Sequence, residues 1–582
     1  MKKINLYIGL LVPFFLHANL QRTRVSSILP AGIVTTMGIS SSKINSTNTT
    51  AGYIINKSGY YYLSNDIEYG PTTDSIPCIK ITANDVILDL GTKTIAKNST
   101  SNKKTIGIEI VAGKRNVTIK NGTIRGMGSS SIKLSGISGS SVSDVTIDGI
   151  LVTGSNTLQP VLDINYSNQV LIKDSFFNNH TDANASPVAS SSVLSFINSY
   201  GVYFVNSQVS GSSNFTNLIF LSACSGFSFD VARVSNNTSS GNVRAINLTA
   251  SSDCIFNDTR ILNNESQIDF YGFYLQSSSN NNVFNSCDVK GNSALKNLSA
   301  YSISSSSVNK FVKCEASGNN NSSTQVSDCN VFGFRLDQSN ANTFDSCAAR
   351  QNSGRVNDGT VSGFDLSSSN SNKIKSCISL GQLGLVATAT TAGFVARSGS
   401  WNSFVDCEAT YNRNENTDNN AAYSRIGAGA IFEGEHGSSM LNCKCGGNAS
   451  KEYSYGICLC NGTSRVCEHC SIATSEFFSN NSLGSNSGYS FGIYDGSLDS
   501  TAFIKANIAF GHGYVFDGTS VKDPSEADMN FFIQYQEQYE TMNLANIIKE
   551  ADISNFNIIA EAGGKDLFNW SIVSNANSGQ SD

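Results

Sequence analysis

The sequence predicts an all-β fold: a parallel β-solenoid of about fifteen rungs followed by a short C-terminal amphipathic helix. Three observations predict it. The composition is that of a chain made of turns and short strands. A block of roughly thirty residues recurs through the middle. Inside each block, segments of three to five residues alternate apolar and polar side chains, with no helical pattern between them.

The composition comes first. Of 582 residues, 91 are Ser and 66 are Asn, while charged residues make up only 14%. An average globular protein carries about 25% charged residues, so the polar surface here is built from hydroxyls and amides. The 32 Phe and 21 Tyr imply a packed interior and exclude a disordered chain. With 39 basic and 45 acidic residues and a net charge of −6, the chain has no basic tract, which excludes nucleic acid as a partner. Ser, Asn and Gly are poor helix formers, which excludes a helical bundle.

Residues 1–18 read as a secretory signal peptide: Lys2 and Lys3 precede the apolar run Ile4 to Leu16, and Leu16-His17-Ala18 offers a small-residue cleavage site. The signal places the mature chain in a secreted, periplasmic or cell-surface setting. No later run of 18 apolar residues follows, so no transmembrane span is expected there. Residues 19–51 form a Ser/Thr-rich linker, and 52–516 hold the repeats. In the last segment, 517–582, Asp523, Pro524 and Glu526 form a helix start. Met529, Phe532, Tyr535, Tyr539 and Met542 follow at helical spacing. This helix over 524–550 is expected to cap the last rung; a homo-oligomer contact is its alternative role.

The repeat reads Gly-Phe-x-Leu, a Ser/Asn turn, Asn-x-Phe-x-x-Cys, then a polar loop. It appears at Gly272-Phe273-Tyr274-Leu275 with Asn282, Phe284 and Cys287. It returns at Gly333-Phe334-Arg335-Leu336 with Asn342, Phe344 and Cys347, and at Gly363-Phe364-Asp365-Leu366 with Asn372, Ile374 and Cys377. The large apolar residue three before the Cys marks the phase: Leu88, Ile119, Ile147, Ile172, Phe204, Phe229, Phe256, Phe284, Phe311, Phe344, Ile374, Phe404, Met440, Cys467, Phe503. Strands this short with no helix between them cannot form βαβ units, but they can stack as a coil. At ~4.8 Å per rung the rod would be about 70 Å long. Stacking places Phe on Phe, and it places Asn282, Asn309, Asn342, Asn372 and Asn402 in one row whose amides can bond along the axis.

These elements resemble the right-handed parallel β-helix proteins of the pectin-lyase-like superfamily, and within it the NosD-type repeats. Gly59-Tyr60-Tyr61-Tyr62-Leu63 and Asp85-Val86-Ile87-Leu88-Asp89-Leu90 extend the likeness to the N-terminal rungs. The resemblance covers about 52–516 and implies a fold. It implies no single activity, because the superfamily hosts lyases, hydrolases, phage tailspikes and proteins without a known activity. Asn416-Thr417-Asp418 and Gly511-His512-Gly513 match short polygalacturonase fragments, but the paired Asp residues expected between them are missing.

Cys287, Cys314, Cys347, Cys377, Cys407, Cys443 and Cys470 share one phase. Ser175, Ser207, Ala232 and Thr259 fill it in earlier rungs, which favours a small inward packing residue over reactive chemistry. Disulfides between rungs and a metal site in the dense group Cys443 to Cys470 are the alternatives; the expectation is no metal and no cofactor.

Alternation in Gly-Phe-x-Leu-x turns both x positions outward. One outward row is Tyr274, Ser302, Arg335, Asp365, Val395, Ile431, Cys458, and the other is Gln276, Ser304, Asp337, Ser367, Arg397, Glu433, Cys460. Arg335, Asp337, Asp365, Arg397 and Glu433 therefore fall together. Asp337, Asp365 and Glu433 are the candidate catalytic carboxylates, since glycoside hydrolysis uses a pair of them. Arg335 and Arg397 are candidate binders of an acidic sugar. The bland reading of the same residues is a solvated face with ion pairs across strands. Insertions Ser317 to Asp328, Gly381 to Thr391 and Tyr411 to Ile426 leave the repeat at one phase and line one edge, where Tyr411, Arg413, Tyr423 and Arg425 are further binding candidates.

The reading that results is a secreted or surface-displayed protein serving adhesion or carbohydrate recognition, with a glycan or host-surface ligand as partner. A glycoside hydrolase or polysaccharide lyase working on the outward sheet face is the alternative, and a passenger-like surface module is a third.

Overall fold

Each turn of the chain is bent at fixed points by residues in the left-handed backbone region. Ser286, Lys313, Ser346, Ser376, Asp406 and Asn442, one per turn, all have φ between 51° and 57°. Between the bends the alternating segments pair in register with the turn above and the turn below. The computed structural model describes residues 36–39, 52–99, 101–183, 191–321, 329–355, 359–385, 390–414, 426–450 and 453–459, with shorter stretches up to 522. Every strand pair along the coil is parallel, so the chain is a parallel β-helix. Among the described strands, Val515–Phe516 and Val521–Lys522 pair antiparallel, and the single bridge Ile137–Ser140 does so as well.

From Asn217 to Ser482 four strands make a turn, and most earlier turns have two or three. The widest sheet stacks 16 strands, including Phe270–Gln276, Leu298–Ser304, Val331–Asp337, Thr360–Ser367, Thr390–Arg397 and Ile426–Glu433. The chain then bends into the Asn-x-Phe strand, such as Thr343–Asp345, and after the Cys into a third, such as Ala348–Arg350. These two ladders join as one sheet because Arg115–Arg125 and Val142–Thr153 run unbroken through both. A two-residue strand such as Ser353–Gly354 closes the turn. The first strand, Thr36–Ile39, pairs with Gly59–Leu63, so stacking begins inside the segment expected to be linker. The described residues contain no helix, and none that could cross a membrane. The helix expected at 524–550 lies outside the described residues, as does the signal peptide.

The phase markers pair in sequence from Leu88 through Ile119, Ile147, Ile172, Phe204 and onward to Met440. The last two expectations are corrected. Met440 pairs with Ile472, not Cys467, and Ile472 pairs with Ile504, not Phe503. Ser475 then takes the position expected for Cys470, and its hydroxyl accepts from the Cys443 N–H at 3.2 Å. The pair Cys443/Cys470 imitates the Cys spacing of the repeat, whereas the alternation Ser471-Ile472-Ala473 sets the true phase.

The interior is two aromatic columns. Phe256, Phe284, Phe311 and Phe344 stack with centroids 4.6–4.8 Å apart. Phe273, Tyr301, Phe334 and Phe364 form the second column, edge-on to the first. Burial of each such ring is worth about 1.5–3 kcal/mol. The columns approach closely because each Gly of Gly-Phe faces inward: a Cβ on Gly393 would come within 2.5 Å of Ala409 Cβ.

Polar ladders line the corners. In the Asn row, the Asn309 N–H and side-chain amide both donate to Asn342 Oδ1, at 2.9 and 3.2 Å, and Asn342 donates to Asn372 in the same way. A second ladder lies five residues after the Cys phase: His180, Ser212, Asn237, Asn264, Asn292, Asn319, Asn352, Gln382, Asn412 and Asn448. A third is a Ser row, Ser251, Ser279, Ser306, Ser339 and Ser369, each hydroxyl accepting from the N–H of the turn before. Gly399 interrupts this row. A Cβ there would strike the Ser369 carbonyl oxygen and the carboxylate of Glu435, which reaches into the vacancy from the next turn. Glu435 accepts from the Gly399 N–H at 2.7 Å, Asn402 Nδ2 at 3.0 Å and the Ser438 hydroxyl at 2.6 Å. Burial raises its carboxyl above the ordinary range, and the three donors partly offset this.

The cysteine column packs inside, as expected. Cys287, Cys314, Cys347, Cys377, Cys407 and Cys443 are buried and form no disulfide. Cys287, Cys314, Cys347, Cys407 and Cys443 each direct Sγ to a carbonyl of the preceding turn at 3.3–3.6 Å. Burial pushes the Cys287 and Cys347 thiols well up, so they stay protonated.

Replacing Asn342 by Ala strands two buried donors on Asn309. The expected loss is about 2–4 kcal/mol in urea unfolding, against less than about 1 kcal/mol for Ala at the exposed Asn340. Equal losses at the two sites would refute the ladder's role.

His180 supplies a pH test. It accepts the Ser155 N–H at Nδ1, 3.2 Å, and burial pushes its imidazole from 6.5 down to about 3. The unfolded chain therefore takes up a proton that the folded chain refuses. Stability is full above pH 6.5 and falls as the pH drops from there toward 3, with a slope approaching about 1.4 kcal/mol per pH unit. His180→Asn, which keeps a ladder acceptor, should flatten that slope in an acid titration followed by circular dichroism.

Candidate functional site on the outer face of the wide sheet

Gly333 and Phe334 both face inward, so the alternation resets at each Gly-Phe pair. Phe332 and Arg335 therefore share the outer face, and the Arg335 guanidinium lies 5.0 Å over the Phe332 ring. This reset creates an outward row that simple alternation misses: Ser192, Asn217, Arg244, Tyr271, Ser299, Phe332, Ser362, Ala392, Ala428 and Tyr455 pair in succession. The signal lay one residue before each Gly, but it is legible only once the reset is known.

The second outward row begins Lys80, Glu109, Lys133, Asp163, four charges of alternating sign on successive turns. Lys80 and Glu109 approach to 3.6 Å. Burial raises the Asp163 carboxyl, and Lys133 pulls it back. The same row continues through Ser195, Phe220, Asn247, Tyr274 and Ser302 to Arg335 and Asp365.

At Arg335 the sequence-derived cluster assembles. Arg335 pairs with Asp365 on the next turn; Asp337, Ser367, Arg397 and Glu433 form the adjacent row. Arg397 bridges the turns: its Nη1 lies 3.0 Å from Asp365 Oδ2 and its Nε 3.2 Å from Glu433 Oε2. The expected ion pairs across strands are present, but the expectation that the face is solvated is corrected. The Asp365 side chain is only 4% exposed, and Val395, Ile431 and Cys458 in its row are buried as well. Burial is the largest influence on Asp365 and raises its carboxyl; Arg397 and then Arg335 offset part of this, while Asp337 and Glu433 add to it. The five groups thus share one field in a partly dehydrated setting.

The outer face also gathers polar atoms without partners. Of ten such buried side-chain atoms among the described residues, five lie here: Ser192 Oγ, Arg244 Nε, Ser299 Oγ, Arg335 Nε and Ser362 Oγ. Aromatic rings stand among them. Arg244 lies 5.1 Å over Tyr274, and Tyr271 packs 4.9 Å from Tyr274. Burial and then Asp269 push the Tyr271 hydroxyl up to about 12.

The edge candidates do not join this cluster. Tyr411 is an exposed corner residue and Arg413 begins the two-residue strand Arg413–Asn414, on a different sheet. Tyr423 and Arg425 lie outside the described residues. No group of three or more His, Cys, Asp or Glu among the described residues is arranged to hold a metal ion.

No family model matches the chain, and no curated protein matches it. Among solved structures it is similar to the A-module of a mannuronan C-5 epimerase from Azotobacter vinelandii (14% identity, TM-score 0.30, covering 65% of this chain and 90% of that one). It is also similar to a PL6 alginate lyase complex with trisaccharide (12%, TM-score 0.28, 88% of both chains). A third is a tailspike protein mutant of the E. coli bacteriophage HK620 (11%, TM-score 0.29, 77% and 71%).

Removing Arg397 leaves Asp365 buried without its contact ion. Arg397→Ala is expected to destabilise by about 3–5 kcal/mol, and adding Asp365→Asn should recover part of that. Additive losses in the double-mutant cycle would show that the two side chains do not couple.

Proposed function

We propose that the protein is a secreted or surface-displayed carbohydrate-recognition solenoid that holds a glycan along the outer face of its wide sheet. The buried, unpartnered polar atoms of Ser192, Arg244, Ser299 and Ser362 in one outward row and of Arg335 in the next carry this reading. Such atoms call for water or a ligand. A glycan offers hydroxyls that donate and accept along a line, and its apolar ring faces suit the half-buried Tyr271 and Tyr274. The signal-like segment 1–18 supports export, and Arg335 is the first anchor to test for an acidic sugar, with Arg397 beside it on the adjacent row.

Enzyme activity is the second reading, and one observation favours it: burial raises the Asp365 carboxyl, as a general acid requires. Against it, Arg397 ties up both Asp365 and Glu433, which suits binding better than a pair of working carboxylates. A glycan array with product detection tests both. The binding reading expects retained, uncleaved glycan and at least tenfold weaker binding by Arg335→Ala, a residue in no ion pair among the described residues. Cleaved product that disappears in Asp365→Asn would establish the enzyme instead. Binding unchanged in Arg335→Ala would move the site off this face.

A further inference from the structure

Trp401 stands at the corner where the wide-sheet strand Thr390–Arg397 has ended, four residues beyond Arg397. It is 61% exposed, and its backbone has φ +58°. Equivalent corners on earlier turns carry Asn281, Val308, Ala341 and Ser371 with φ of 54–61°. A bulky aromatic in this backbone region is strained, and strain of this kind persists where the surroundings enforce it.

The surroundings do so. The next turn presents Gly437, where a Cβ would come within 2.7 Å of Trp401 Cε3 and Cζ3. The absent side chain lets one face of the indole lie against the backbone and leaves the other face to solvent. His436 meets the ring edge-on at 5.5 Å, and His469 meets His436 at 5.4 Å. Tyr411 sits over Gly447 and Tyr200 over Gly226 by the same device, but Trp401 alone follows directly on the Arg397–Glu433 pair. Around it the polar side chains are small: Ser400 donates to Asn370 at 2.8 Å, and Ser403 and Ser439 lie 3.4 Å apart. A protein-docking patch would continue in apolar residues. A flat aromatic rimmed by hydroxyls and imidazoles fits a ligand that is apolar on one face and polar at its rim.

We propose that the free face of Trp401 is a stacking subsite for a pyranose ring, continuing the wide-sheet site around the corner. The inference rests on the glycan reading above. Stacking on an aromatic of this kind is worth about three- to tenfold in affinity. The experiment is a fluorescence titration of the full chain, with Trp570→Phe as background so that Trp401 alone reports, against the oligosaccharides retained on the array. The expected result is a shifted Trp401 emission on binding. Trp401→Ser, which copies Ser371 of the preceding turn, should bind about tenfold more weakly, and Trp401→Phe should keep most of the affinity. Oligosaccharide that binds without moving the emission, and equally well to Trp401→Ser, would overturn the subsite and leave the wide-sheet reading standing. Absence of any retained glycan would overturn both.

Discussion

The structure depends on hydrogen bonding along the coil axis at its corners. Strand pairing alone satisfies the backbone in the straight segments. At the bends, N–H groups are buried with no strand partner, and an unsatisfied buried donor costs about 1–3 kcal/mol. Side-chain amides and hydroxyls one turn away supply the acceptors, as Asn342 does for Asn309 and Asn237 does for Ser212. This ties each turn to the next in one register, because a slip by one residue would break every ladder at once. The aromatic columns follow from that register.

The same constraint explains the composition. A ladder position demands a short side chain that accepts a bond, so Ser and Asn recur where a charge would be stranded. His180 and Gln382 show the limits of substitution: each still presents an acceptor, and each sits between turns that use Ser or Asn. The cysteine column obeys a looser rule, small and inward, which Ser175, Ala232 and Thr259 also meet.

Much of this was legible in the residues. The phase from Leu88 to Met440, the inward Asn row, the inward thiols and the gathering of Arg335, Asp337, Asp365, Arg397 and Glu433 all follow from counting along the repeat. The rest is hidden for physical reasons. Cys467 falls off the true phase because Cys470 sits at the repeat's usual distance beyond it, although the strand alternation there runs through Ile472; the shift carries on to Phe503, one residue before Ile504. The second ladder, five residues past the thiols, is not legible because it falls beyond the strands, where periodicity of two says nothing. Burial of Asp365 was not legible, since alternation tells which way a side chain points and not what covers it. The row through Arg244 and Ser299 was hidden by the inward Gly that resets the alternation.

The exchange between Gly399 and Glu435 shows what a repeat fold can conceal. One turn has lost a ladder side chain, and its neighbour has grown one long enough to fill both places. Neither residue makes sense alone: a side chain at 399 would collide with the carboxylate, and Glu435 beside an ordinary Ser would have nowhere to go. Turns that look like copies of one another are therefore locked to particular neighbours. Inserting or removing a single turn between them would strand the Glu435 carboxylate and its donors, so the two turns work as a pair.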